Sequence, residues 1–190
     1  GMVAKLADDG QSIVFATYLG GGNSDQVRGI ALASDLTATV VGFTNSTDFP
    51  VTPGAAQTVY AGGSPFVDIG DGFVSRISAN GDSLLGSTYL GGLFDDVAED
   101  VELDPSGNAI VVGWTTSADL PIPAGGFQPA LGGLFLAQSD GFVLGVSQNA
   151  ETFSFGTYLG GQFSEQLLGV HRDSATGDLA VAGWSLGADY

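Results

Sequence analysis

Thr88-Tyr89-Leu90-Gly91-Gly92 stands near the middle of the chain, and the same five residues occur at Thr17–Gly21 and Thr157–Gly161. The copies lie 71 and 69 residues apart, and a fixed period of tens of residues marks an array of supersecondary units. A second marker, a glycine and an aromatic closing an apolar run, keeps nearly the same register at Gly42-Phe43, Gly113-Trp114 and Gly183-Trp184. Asp48-Phe49-Pro50, Asp119-Leu120-Pro121 and Asp189-Tyr190 agree with it, as do Gln57 with Gln128 and Asp71-Gly72-Phe73 with Asp140-Gly141-Phe142. The repeat therefore fills residues 1–190 as a single segment, with units of approximately 2–72, 73–141 and 142–190, the last incomplete.

Each period holds four short strand-like runs between turn signals, and none has helical spacing. In the middle of the chain these runs are Gly72–Ser78, Leu84–Leu90, Asp100–Asp104 and Ala109–Thr115. Asn80-Gly81-Asp82 and Asp104-Pro105-Ser106-Gly107-Asn108 read as hairpin turns, because Pro presets φ while Gly and Asn accept the left-handed conformation. They pair the third strand with the fourth and the first with the second. A long Gly-, Pro- and Ala-rich loop, 44–70 or 117–139, joins the second strand to the third. Four antiparallel strands per period predict an all-β β-propeller of four-stranded blades, a design that buries both faces of each sheet against its neighbours.

The order of these elements, a GFV strand, an ANG turn, TYLGG, a DPSGN turn and a Gly-aromatic strand, resembles the bacterial β-propeller repeats known as SBBP repeats. The resemblance covers essentially the whole chain. Two turns depart from it: Leu36-Thr37-Ala38 replaces Gly-Asn in the first copy, and Asn149-Ala150 replaces Asn-Gly in the third. The resemblance implies an extracellular or cell-surface bacterial protein.

The chain opens on a third and fourth strand (Val3–Ala7, Ser12–Leu19) and closes on a first and second (Leu168–Arg172, Leu179–Ser185). About three blades' worth is present, two complete and two halves, whereas propellers close with four to eight. The expectation is self-association, most simply a dimer completing a six-bladed ring, or completion by further repeats of a longer chain. Gly1-Met2 reads as an expression scar and start, which leaves room for a signal or repeats upstream.

Composition narrows the partners. Four Lys and Arg against 21 Asp and Glu give a net charge of −17, which leaves nothing to neutralise phosphates and argues against nucleic acid. No apolar run approaches the roughly 20 residues of a membrane span, so no membrane insertion is expected. The chain has no cysteine, which removes disulfides, thiolate metal sites and thiol nucleophiles.

Two series of acids keep the period. Asp25, Asp96 and Glu165 each stand seven residues after the tyrosine of TYLGG, and Asp48, Asp119 and Asp189 stand in the loop after the second strand. Loop carboxylates converging on one face are candidate ligand-binding residues, for Ca²⁺ or a cationic group. The plainer reading, favoured here, is that they cap turns by bonding backbone amides; no cofactor is then required. No catalytic residue is assigned. Gly81-Asp82-Ser83-Leu84 spells a lipase motif, but the other copies read Gly10-Gln11-Ser12-Ile13 and Ala150-Glu151-Thr152-Phe153, as a hairpin turn would. His171 is the sole histidine, and a triad needs a base beside its nucleophile. Asn45-Ser46-Thr47 forms a glycosylation sequon. Tyr18, Tyr89 and Tyr158, with Phe43, Trp114 and Trp184, read as core between blades.

These features together predict a non-catalytic binding or surface scaffold for protein or carbohydrate ligands. A hydrolase or lyase with its site at the channel mouth, and a structural spacer in a longer surface protein, are the alternatives.

Overall fold

The computed structural model of the chain describes residues 1–64, 68–133 and 138–187. Twelve strands occur among them and no helix. Sheet one pairs β1 (Met2–Leu6) with β2 (Ile13–Tyr18). Sheet two is the meander β3 (Asp25–Leu32), β4 (Ala38–Thr44), β5 (Asp71–Ile77) and β6 (Leu84–Leu90). Sheet three repeats it with β7 (Asp96–Leu103), β8 (Ala109–Thr115), β9 (Asp140–Val146) and β10 (Phe153–Leu159). Sheet four pairs β11 (Glu165–Arg172) with β12 (Leu179–Ser185). Every pairing is antiparallel.

The hairpins close where the sequence places left-handed residues. Gly10, Gly81, Gly107 and Gly177 have φ between 69° and 84°, a region glycine enters without a Cβ penalty. Leu36 and Ala150 take the same conformation at φ 65° and 60°, so the two departures from the turn motif keep its geometry and carry its strain. At the DPSGN turn the Asp104 carboxylate accepts the Ser106 and Asn108 amides (2.8 and 2.9 Å), fixing the bend.

Each first strand carries a bulge, between Val27 and Gly29, Ala98 and Asp100, and Leu167 and Gly169. The glycine of the Gly-aromatic marker lies opposite it in the second strand. A Cβ on Gly42, Gly113 or Gly183 would fall 1.8, 1.9 or 1.8 Å from the Gln26, Val97 or Gln166 carbonyl oxygen, which only glycine avoids. The bulges also explain why β7 and β11 begin earlier than the sequence suggests, at Asp96 and Glu165 rather than Asp100 and Leu168. An extra residue breaks the two-residue alternation from which a strand is read.

The sheets stack in chain order. Val3 and Leu19 of the first hairpin share a core with Val40, Phe73 and Tyr89 of sheet two. Val41, Val74 and Leu90 pack with Val101, Val111 and Leu144 of sheet three; Ile110, Val112 and Val143 pack with Leu167 of sheet four. β3 lies against β7, and β7 against β11. Strands β4, β5 and β9 are buried along their whole length, as expected of sheets covered on both faces. The long loops lie along the outer strands: the Tyr89 amide donates to the Gln57 carbonyl (3.2 Å) and the Tyr158 amide to that of Gln128 (3.1 Å), which covers the edges of β6 and β10. No helix among the described residues is long and apolar enough to cross a membrane.

Candidate functional site

The period-locked acids stand at the ends of strands, where chain direction reverses and backbone amides need acceptors. Asp96, the first residue of β7, accepts the Gly92 amide (2.7 Å) and the Ser117 hydroxyl (2.9 Å) on Oδ2, and the Thr115 hydroxyl on Oδ1. Asp25 repeats this at β3 with the Gly21 amide (2.8 Å), the Thr44 hydroxyl (2.5 Å) and the Ser46 hydroxyl (3.2 Å). Glu165 does so at β11, with the Gly161 amide (2.8 Å) and the Ser185 hydroxyl (2.7 Å).

The second series takes the next amide of the same loop. Asp48 accepts the Gly22 amide (2.8 Å) and Asp119 the Leu93 amide (3.0 Å). The structure thus brings Asp25 beside Asp48, and Asp96 beside Asp119, on adjacent amides of one tight turn. Asp189 lies outside the described residues. Neither glycine of the motif can carry a side chain: a Cβ at Gly91 would sit 2.5 Å from the Asp71 carboxyl carbon, and one at Gly92 would sit 2.4 Å from Asp119 Oδ1.

A third acid series, visible in the sequence only as period markers, completes the arrangement. Asp71 heads β5 and accepts the Ala61 and Gly62 amides (2.8 and 3.2 Å) and the Gln57 side chain (3.1 Å). The same Gln57 accepts the Gly91 amide (3.1 Å). In sheet three Asp140, Gln128 and Gly160 repeat the set: Gln128 donates to Asp140 (2.9 Å) and accepts the Gly160 amide (3.0 Å). The paired DGF and Gln positions were the signal for it. A continuous brace results, running from a third-strand Asp through Gln and the TYLGG loop to the acid that opens the next sheet.

The brace is buried, and burial disfavours charge. Desolvation pushes Asp71 up to about 7 against the pull of its amide donors, and the nearby Asp119 carboxylate adds to the rise. It pushes Asp96 up to about 8 despite three donors, with Asp71 adding to it. Asp140 is raised for the same reason, with a contribution from Glu165; its Oδ1 is buried and has no hydrogen-bond partner among the described residues.

The tyrosines lock the brace to the loops. Tyr89 is 1% exposed; its hydroxyl donates to the Ser46 carbonyl (2.8 Å) and accepts the Phe49 amide (3.1 Å). Tyr158, also 1% exposed, donates to the Ser117 carbonyl (2.9 Å). Tyr18, the tyrosine of the first copy, is 89% exposed. In two of the copies the marker aromatic meets the extra residue of the bulge. The Arg28 guanidinium lies 5.4 Å from the Phe43 ring centroid, and Trp114 Nε1 donates to Glu99 (3.1 Å). Phe43 is buried, Trp114 half-buried and Trp184 exposed. The core reading therefore fits the inner copies, and the outer ones stand open.

Other candidates have structural occupations. Ser83 and Asp82 sit in the β5–β6 turn, where the Ser78 hydroxyl donates to Asp82 (2.7 Å). His171 is exposed, 3.8 Å from Glu102. The Asn45 side chain of the sequon donates to Asp68 (2.6 Å) and accepts the Tyr60 hydroxyl (2.8 Å). No group of three or more His, Cys, Asp or Glu able to hold a metal ion occurs among the described residues. A cavity of about 590 Å³ runs along β3 and β7 and reaches β11, lined by Ile30, Leu32, Asp100, Glu102, Asp104 and Val170 among others.

A scan of the sequence against protein-family models finds no match, and a search of curated proteins finds none.

Proposed function

We propose that the chain is a segment of a β-propeller related to the SBBP repeats, in which each four-stranded sheet is a blade, and that it serves as a non-catalytic binding or surface scaffold for protein or carbohydrate ligands. One observation carries this reading. Among the described residues the recurring acids and glutamines, and the tyrosines Tyr89 and Tyr158, are engaged by backbone groups and side chains of the loops around them. Their repetition is thereby explained by the fold, which leaves recognition to the exposed surfaces.

The cavity beside β3, β7 and β11 is the face offered to a ligand, and its carboxylates Asp100, Glu102 and Asp104 suit a ligand with positive groups. Two chains, each contributing two blades and two halves, complete a six-bladed ring. The resemblance of the sequence carries an extracellular or cell-surface location with it.

The test compares melting curves in millimolar CaCl₂ with curves in NaCl of equal ionic strength, alongside turnover of chromogenic esters and glycosides. Superimposed curves and no turnover are expected. A Ca²⁺-specific rise abolished by Asp96→Asn would reassign the acids as a metal site, and turnover abolished by His171→Ala would make the protein an enzyme.

A further inference from the structure

The two outer hairpins are complementary halves of one sheet. Sheet four ends at its second strand, β12, and sheet one begins at a third strand, β1. In sheet two those positions belong to β4 and β5, joined by a ladder that runs from Ala38 opposite Ile77 to Thr44 opposite Asp71. The 71-residue period maps β5 onto β1, and the Gly-aromatic marker maps β4 onto β12. The ladder is thereby transferred up to Trp184 opposite Gly1: Leu179 faces Leu6, Val181 faces Ala4 and Gly183 faces Met2.

The open backbone groups obey this register. The Leu19 amide donates to the Gly1 carbonyl (3.1 Å). Because antiparallel residues alternate in direction, Met2, Ala4 and Leu6 turn their amides and carbonyls to the open side of β1. Met2 and Leu6 are mostly exposed, as residues awaiting a neighbouring strand would be.

Charge agrees independently. Arg76 in β5 is buried and donates to Thr37 (2.9 Å) and Asp35 (3.0 Å) of the β3–β4 turn. Lys5 holds the same place in β1 and has no ion-pair partner among the described residues. In the β11–β12 turn the place of Thr37 is taken by Asp178, which is exposed. One of the four basic residues in the chain thus stands on one open edge, and a carboxylate stands at the matching point of the other. Tyr18 fits too, since by the repeat its hydroxyl would reach the Gly187 carbonyl, as Tyr89 reaches that of Ser46.

We propose that β12 of one chain pairs antiparallel with β1 of a second copy, Val181 opposite Ala4, with a Lys5–Asp178 ion pair across the joint. This rests on reading each outer hairpin as half of a blade. A head-to-tail contact of this kind closes into a ring only when the rotation allows, and two such joints per pair of chains give the dimer.

The experiment is light scattering behind size exclusion, run at several micromolar concentrations on the 190-residue chain, Ala4→Pro, Lys5→Glu, and Lys5→Glu with Asp178→Lys. Proline at Ala4 removes an amide from the joint but not from the β1–β2 ladder. The parent is expected at twice the chain mass. Ala4→Pro should raise the dissociation constant by about tenfold or more, and Lys5→Glu should do the same through like-charge contact. The charge-swapped pair should recover most of the loss. Far-ultraviolet circular dichroism unchanged in Lys5→Glu separates loss of contact from loss of fold. A monomeric parent overturns both the joint and the six-bladed assembly. A dimer indifferent to all three variants overturns this register while leaving self-association standing.

Discussion

Three tyrosines in one motif make the sharpest internal control in this molecule. Replacing Tyr89 by Phe deletes a hydroxyl that bonds two backbone groups, the Ser46 carbonyl and the Phe49 amide, inside a pocket closed by Phe49 and Phe73. Leaving a buried backbone group without its partner costs about 1–3 kcal/mol. Here the Phe49 amide keeps a second bond, to the Ser46 carbonyl itself (3.2 Å), which places the cost near the lower end, about 1–2 kcal/mol. For a domain of this size that lowers the midpoint by roughly 2–8 °C. Tyr89→Ala also empties the space between Phe49 and Tyr60, whose ring centroids stand 5.9 and 6.0 Å away, and costs about 3–5 kcal/mol. Tyr18→Phe, made in an Ala4→Pro background that leaves the N-terminal edge open, stays within about 0.5 kcal/mol because its ring is in solvent. Urea denaturation followed by tryptophan fluorescence measures all three. The reasoning fails if Tyr89→Phe unfolds at the parent midpoint, or if Tyr18→Phe in the open-edged chain costs as much as Tyr89→Phe.

Two further outcomes follow from the same geometry. Asp71 and Asp96 have folded-state values raised to about 7 and about 8, so the folded chain binds protons more tightly than the unfolded one. Their stabilising contribution is full below about pH 4 and fades as pH rises towards 8. Asp104 and Asp173 are held low by amide and side-chain donors and lose their contribution only below about pH 4. Melting temperature should therefore peak near pH 4 and fall by several degrees towards pH 8.5, and a curve rising steadily through that interval would refute the protonated brace. Leu36→Gly should relieve the left-handed strain of an exposed residue at φ 65°. The strain is about 1–2 kcal/mol and the added unfolded-state entropy offsets about half of it, so a net gain of up to about 1 kcal/mol is expected by chemical denaturation; a loss would show that Leu36 packs on something in solution.

What could be read from the sequence, and what could not, divides along a physical line. Turn chemistry is local, and Gly81, Gly107 and the Asp104 cap announce their hairpins within five residues, so strand count, pairing within hairpins and the long loops were all legible. The recurrence of Asp25, Asp96 and Glu165 was legible too, but not their partners, since Thr44, Thr115 and Ser185 lie about 20 residues downstream and are joined only once β3 meets β4 and its counterparts pair. The bulges at Arg28, Glu99 and Leu168 hid the starts of the first strands by breaking alternation. Asp71 and Asp140 are visible in the sequence but their role is not: a DGF triplet looks like strand punctuation until the fold places Gln57 and Gln128 between it and the TYLGG loop. Repetition in this chain records a requirement of the stack, because every sheet needs the same buried joint to its neighbour. The functional signal of such a chain is then to be sought where the copies differ. Asp100 illustrates this: the period gives Gly29 and Gly169 at its position, and only the middle copy reaches across to the Val170 amide (3.0 Å). It does so beside the cavity, where β7 meets β11, so an unrepeated hydrogen bond between first strands lies at the face assigned to ligands.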